Sequence, residues 1–462
     1  MKQYNVEYAQ VKAPLTDCTR IPIILKDETL EERKQKILNR MKQEGFDVLA
    51  IYNDVEHSGN FEYLTGLFTR FEEGVLVLRS NGEATLLLGN ENLNKATNSR
   101  IPAKPIHVPY FSLPNQPMAN TSSFIDTIKD CGIREGDQLG VVGWKHFTSS
   151  YDDNSQLFDI PYFLLDAFRK LVGQSGSIKN ATYLFIGEHG VRVTNNADEI
   201  AHYEYGASLV SDAVLNAMNR LEVGIRETEL GNELTLDGQH NSVVTIASSG
   251  PRFVKANMFP TDNTVRVGDP ISLTVGYKGG LSSRAGYAVE NETQLPPELQ
   301  DYISKVVVPY YSAYVCWMQG IRIGTKGGEL FQKIEEVLPR SEYHWTLCPG
   351  HLTADEEWLS SPIYEGSTET IQSGMLFQID ILPSVTGYGG TNAESTIALA
   401  DEALRNEIQN QYPALWRRIQ DRRNYIINEL HIKISEEMLP LCSTVGYLRP
   451  FLLNKEAAMR CK

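Results

Sequence analysis

The sequence predicts an α/β protein of two domains, and three observations carry that expectation. A chain of 462 residues is too long for one hydrophobic core. Over the first 190 residues, stretches with helical apolar spacing alternate with short apolar runs of strand character. Past a short Gly- and Asn-containing stretch, Gly187 to Ala197, a long helical pattern gives way to a strand-rich region. The expected division is residues 1–190 and residues 191–462, the second ending in a helical extension.

Before about Pro22 the chain lacks periodicity and reads as an arm. Leu30 to Gln43 is charged, with Leu30, Ile37 and Met41 at helical spacing, and Gly45 ends it. Asp47 to Tyr52 suits a buried strand. Gly74 to Gly89 holds two apolar runs joined through Asn81-Gly82, a dipeptide that favours a tight hairpin turn. The five prolines between Asn98 and Pro117 predict an irregular covering loop. Thr121 to Cys131 and Pro161 to Val172 read as helices, with a strand at Leu139 to Val142 between them.

A long helix is expected from Ala197 to Arg220, capped by Asn195 or Asn196 with Glu199 in its first turn. A shorter one follows at Glu227 to Leu236. Strands are expected at Val243 to Ala247, Ile271 to Tyr277 and Tyr287 to Glu290, with turns at Gly268-Asp269-Pro270 and Gly279-Gly280. Leu299 to Met318 and Glu329 to Leu338 read as helices, and strands surround Phe377 and Ile397. Ala403 to Leu430 is helical with a break at Pro413, and the remainder to Lys462 shows no pattern.

The composition excludes several classes of partner. A net charge of -15, without a run of clustered Lys and Arg, argues against a phosphate-backbone partner such as nucleic acid. The first residues lack a basic region followed by an apolar one, and no apolar run spans a bilayer, so no membrane association is expected. Six scattered cysteines, none in a CxxC pair, fit reduced thiols in a cytoplasmic protein. Cys348 reads as a small residue near a pocket rather than a nucleophile, because no activating partner is visible.

The chemistry concentrates around Cys348-Pro349-Gly350-His351 and the stretch from Gly374 to Ala400. One histidine sits on a tight turn, and two strand-like runs each present one carboxylate, Asp380 and Glu394. Such a set suits one metal ion or an acid/base site. Asp380 lies in an apolar run, where a lone buried charge is costly, so it must be paired or ligated. Glu394, among small polar residues, also fits a solvated strand end. Asp355-Glu356-Glu357 reads either as a solvated charge run or as a ligand-facing loop. His57 and His240 read as structural or surface residues.

Leu221-Glu222-Val223-Gly224-Ile225-Arg226-Glu227-Thr228-Glu229-Leu230 resembles the helix-turn-helix signature of creatinase, the Xaa-Pro aminopeptidases and the prolidases. Asn60-Phe61-Glu62-Tyr63-Leu64-Thr65-Gly66 is similar to that family's N-terminal N-x-x-Y-L-T-G stretch. The resemblance runs from about Leu30 to Leu404. It implies an N-terminal ribonuclease-H-like α/β domain, a C-terminal pita-bread domain and a homodimer. It also implies a site in which two Asp, one His and two Glu hold two metal ions.

Carried over residue by residue, the first Asp falls on Thr274 and the second on Ser283 or Ser282, within Leu281-Ser282-Ser283-Arg284. The His is kept as His351, the first Glu becomes Asp380, and the second is kept as Glu394. The family's two further histidines fall on Asn257 and Trp358. Arg284 could bind an anionic group such as a carboxylate. With two carboxylates left, the expectation is at most one divalent ion (Mn, Co or Zn), or none.

Three functions follow from this. In the first, the chain binds a peptide or small molecule without hydrolysing it. In the second, it hydrolyses a C–N bond without two metals, using His351 as general acid/base oriented by Asp380 or Glu394. In the third, it is a metal-dependent Xaa-Pro peptidase whose ligands lie elsewhere in the sequence.

Overall fold

Apolar strands flanked by amphipathic helices account for the first of two units in the computed structural model, which describes residues 5–69, 71–116, 122–254 and 259–462. The chain opens with β1 (Val6–Gln10), which belongs to the second unit, and residues 25–193 then form the first. In order these are α1 (Asp27–Glu44), β2 (Val48–Asn53), α2 (Gly59–Thr65), β3 (Gly74–Arg79), β4 (Ala84–Leu88), β5 (Lys104–His107), α3 (Phe124–Ile128), β6 (Gln138–Val142), α4 (Tyr162–Val172) and β7 (Ser177–Asn180).

Their six strands make one mixed sheet in the order β5-β4-β3-β2-β6-β7. Gly82, at φ +89°, closes the hairpin between β3 and β4. The proline-rich stretch is not all loop: Lys104–His107 pairs in parallel with β4 at the sheet edge, where Pro105 needs to donate no ladder hydrogen bond on its outer side. The predicted helix at Thr121 to Cys131 is shorter, at Phe124–Ile128, and Thr121 lies outside the described residues. Val48, Ala50, Val75, Val77, Leu139 and Val141 pack with Leu164 and Phe168 of α4 as the core of this unit.

The second unit comprises residues 1–24 and 194–462. Its helices are α5 (Ala197–Arg220), α6 (Glu227–Glu233), α7 (Pro251–Val254), α8 (Val308–Gly320), α9 (Gly327–Val337), α10 (Arg340–Tyr343), α11 (Glu402–Gln411) and α12 (Pro413–Asn428). Its strands are β8 (Ile246–Ser249), β9 (Pro270–Tyr277), β10 (Gly280–Tyr287), β11 (His351–Leu352), β12 (Leu376–Gln378), β13 (Asn392–Glu394), β14 (Thr396–Leu399), β15 (Met438–Pro440) and β16 (Ala457–Cys461).

Two antiparallel sheets, β13-β10-β9-β8 and β11-β12-β14-β15, form the body of this unit, and β1 pairs with β16. Asn196 caps α5 in a reciprocal arrangement with Glu199. Nearly the whole of α5 is buried. Gly206 permits its contact with the β9–β10 hairpin, since a Cβ there would stand 1.8 Å from the Lys278 carbonyl oxygen.

Three expectations are corrected here. The turn at Gly279 is present, but the strand after it is Gly280–Tyr287 rather than Tyr287–Glu290. Its Ser, Arg and Gly content hides a strand that is buried throughout because it lies between β9 and β13. The patternless C-terminal stretch contains β15 and β16. The strand expected around Ile397 is Thr396–Leu399, and a separate strand, Asn392–Glu394, precedes it; the two part at Ser395 and belong to different sheets. No helix among the described residues is long and apolar enough to cross a membrane.

Candidate metal centre

The parting at Ser395 positions the site. β13 ends the first sheet with Glu394, β14 opens in the second, and Ile379 N donates to Ser395 O at 3.1 Å. That bond holds the segment just past β12 beside the crossover, so Asp380 meets Glu394 although neither shares a strand with the other. His351 opens β11, opposite Gln378 of β12. Gly350 before it, at φ +112°, could not carry a side chain: a Cβ would stand 3.0 Å from Gln378 O and 3.1 Å from Trp317 Nε1. Ligand atoms of His351, Asp380 and Glu394 all lie within 4.8 Å of one another, and all three residues are buried.

The imidazole is oriented from behind. His351 Nδ1 lies 3.2 Å from its neighbour's carbonyl, Leu352 O, and a carbonyl can only accept, so Nδ1 carries the proton. Nε2 is thereby directed into the cluster, 2.9 Å from Glu357 Oε1. That approach lies off the N–H direction, and among the described residues Nε2 has no hydrogen-bond partner. Asp380 Oδ1 is likewise without one. The Trp358 ring stacks on His351 with centroids 4.0 Å apart and planes at 22°.

Electrostatics follow from burial and crowding. Burial opposes the charged imidazole, but Glu357 and Asp380 outweigh it and hold His351 above its ordinary pKa. Burial pushes Asp380 up to about 6, with His351 pulling down and Glu357 pushing further up. Burial, then repulsion from Asp380 and Glu357, holds Glu394 well above the carboxylate range. A cation is the natural partner for such a set, and the ordered Nδ1 donor with two buried unpartnered ligand atoms fits a single divalent ion.

The remaining expected residues separate clearly. Thr274 and Ser283 lie directly opposite each other on β9 and β10, and their hydroxyls hydrogen-bond at 2.5 Å. Asn392 Nδ2 also donates to Ser283 Oγ, at 2.9 Å. Strand alternation puts Ser282 on the other face, so of the two serines Ser283 is the one at the site.

Arg284 is a correction. Its guanidinium is fully buried and donates to Tyr447 O, Ser283 O, Glu394 O, Ser395 Oγ and Thr444 O, which leaves no N–H for a ligand anion. Asn257 lies outside the described residues. Cys348 is half-buried with its thiol pushed up by burial, and His57 pairs with Asp54 and stacks on Trp144 in the first unit. Glu357, in the Asp355-Glu356-Glu357 run that reads as a solvated face or a ligand-facing loop, brings its carboxylate to the His351 ring.

The sequence profile of metallopeptidase family M24 matches residues 201–401. No curated protein is similar enough in sequence to stand as a relative. Solved structures match over most of the chain. A recombinant prolidase from Thermococcus sibiricus is 18% identical with a TM-score of 0.63, covering 81% of this chain and 95% of that one. An Xaa-Pro dipeptidase from Bacillus anthracis is 17% identical with a TM-score of 0.60, covering 81% and 96%. Dipeptidase PepE from Mycobacterium ulcerans is 15% identical with a TM-score of 0.61, covering 81% and 94%. At these identities the likeness establishes the α/β, pita-bread fold.

Proposed function

We propose that this chain, whose residues 201–401 are a metallopeptidase family M24 domain, is a binding homologue that holds a peptide or small molecule at the His351, Asp380, Glu394 pocket without two-metal hydrolysis. The observation that carries this reading is the hydrogen bond between Thr274 and Ser283, at the positions where the family resemblance implies two aspartates. Two divalent ions held close together need bridging carboxylates to offset their repulsion, and two hydroxyls cannot supply that charge. A single ion held by His351, Asp380 and Glu394 would supply Lewis-acid polarisation of a bound carbonyl. Trp358 offers an apolar face beside it, and Asp380 and Glu394 favour a cationic or proton-donating ligand group.

Metal analysis of protein incubated with Mn2+, Co2+ or Zn2+ tests this. At most one equivalent per chain and no turnover of X-Pro dipeptides are expected. Two tightly held ions, or metal-stimulated turnover lost in His351→Ala, would overturn the reading.

A second reading is hydrolysis by acid/base chemistry without metal, favoured by the raised pKa values of His351 and Glu394, which keep transferable protons in the pocket. Chelator-insensitive C–N hydrolysis would favour it over the first.

A further inference from the structure

Glu357 has no counterpart among the residues that the family resemblance brings to the site, yet the chain goes to some length to place it. The loop after β11 returns on itself: Leu352 N donates to Ser360 O at 2.6 Å and Leu359 N to Leu352 O at 2.9 Å. Its tip is fastened to the β9–β10 hairpin, where Gly279 N donates to Ala354 O at 2.7 Å. Tyr203 of α5 donates its hydroxyl to Asp355 at 3.1 Å. Thr353 Oγ1 donates to Glu356 O at 3.2 Å, closing the turn from inside. These bonds fix the backbone on both sides of Glu357. Its side chain is only 18% exposed, and its carboxylate comes 2.9 Å from His351 Nε2. A solvated acid would pay the cost of that burial for no return.

We propose that Glu357 is a fourth ligand of the single-ion centre, so that the chain holds one divalent cation with His351, Glu357, Asp380 and Glu394 in place of the two-ion arrangement. The inference rests on the single-ion fit described above. Two atoms point to a ligand: among the described residues His351 Nε2 and Asp380 Oδ1 are buried and make no hydrogen bond, Nε2 meeting the Glu357 carboxylate only as an ion-pair contact. Charge supports it as well. Three carboxylates lie around one imidazole, and the nearby Arg284 directs its donors to four carbonyls and a hydroxyl. A divalent ion offsets most of that negative charge, and one nitrogen with three carboxylates suits Mn2+ or Zn2+. In this arrangement a carboxylate from the loop replaces charge lost at Thr274 and Ser283, from a different part of the sequence.

The test is calorimetric titration of the full chain with MnCl2 and with ZnCl2, for the unaltered protein, Glu357→Gln, Glu357→Asp, Asp380→Asn and Glu356→Gln. One ion is expected to bind the unaltered protein. Glu357→Gln should weaken it by at least about tenfold, the loss that even partners behind a ligand produce. Glu357→Asp should fall between, and Glu356→Gln, which removes the same charge one residue away, should bind as the unaltered chain does. Melting of the metal-free variants checks that each is folded; if Glu357→Gln is not, Glu357→Asp carries the comparison. Binding that survives Glu357→Gln but not Asp380→Asn, or that tightens in Glu357→Gln, overturns the role of Glu357 alone. An equal loss in Glu356→Gln overturns it too, as a mere effect of net charge. No uptake by the unaltered protein overturns the single-ion centre and Glu357's role together.

Discussion

Replacing Arg284 by lysine would keep the charge and remove the planar fork. One ammonium cannot serve the Tyr447, Thr444, Ser283 and Glu394 carbonyls and the Ser395 hydroxyl at once, so buried acceptors would be left unpaired. Arg284→Lys is expected to lower unfolding stability by about 3 kcal/mol, read by urea denaturation. A loss under about 1 kcal/mol would show that water or the ammonium replaces those bonds. At this scale the sequence is partly legible. His351, Asp380 and Glu394 are readable because each stands in an ordered set of short motifs. Arg284 is misread because its neighbours in sequence are small and polar, while four of its five hydrogen-bond partners lie more than a hundred residues away. Glu357 is hidden by Asp355 and Glu356, since only the return path of the loop distinguishes one acid of the three.

Among the elements, α5 carries the clearest prediction. Asp212 on this helix accepts from Asp17 N at 3.1 Å and Cys18 N at 3.0 Å, fastening the N-terminal arm. Burial pushes its carboxyl up to about 6 in spite of those bonds. Because the folded pKa lies above that of the unfolded chain, the protonated form is favoured by folding. The stabilising contribution is complete below about pH 4 and is lost as pH rises through about 6. A shift of about two units corresponds to about 2–3 kcal/mol. The stability difference between the unaltered chain and Asp212→Asn should therefore move by about 2 kcal/mol in favour of the variant between pH 4 and pH 7. A difference that is flat across that range would place the Asp212 pKa at its ordinary value. Helices of this kind are legible because caps and periodicity are local. β10 and β16 are not, because each is completed by a partner distant in sequence, β13 beside β10 and β1 beside β16.

At the scale of the molecule, residues 1–24 belong with residues 194–462 in one unit, and residues 25–193 form the other. Nothing in a short arm without periodicity signals a partner at the far end of the sequence. β1 adds a strand beside β16, and Asp17 forms an ion pair with the buried Arg422, which also holds Glu204. Residues 25–193 expressed alone are expected to fold cooperatively, since their sheet and core are internal. Residues 194–462 alone are expected to melt lower than the same segment supplied with residues 1–24. Equal melting temperatures would show the arm to be dispensable. The pairing of β1 with β16 also orders events during synthesis. Arg460 and Glu7, joined side chain to side chain, are 453 residues apart. Domains fold as they leave the ribosome, at roughly 5–20 residues per second. The arm therefore waits on the order of half a minute or more for its partner, while residues 25–193 fold behind it. Through that interval a strand with open backbone hydrogen-bonding groups stands unpaired, and a chaperone that shields Val6 to Gln10 would act on this stage of the protein's life rather than on its finished form.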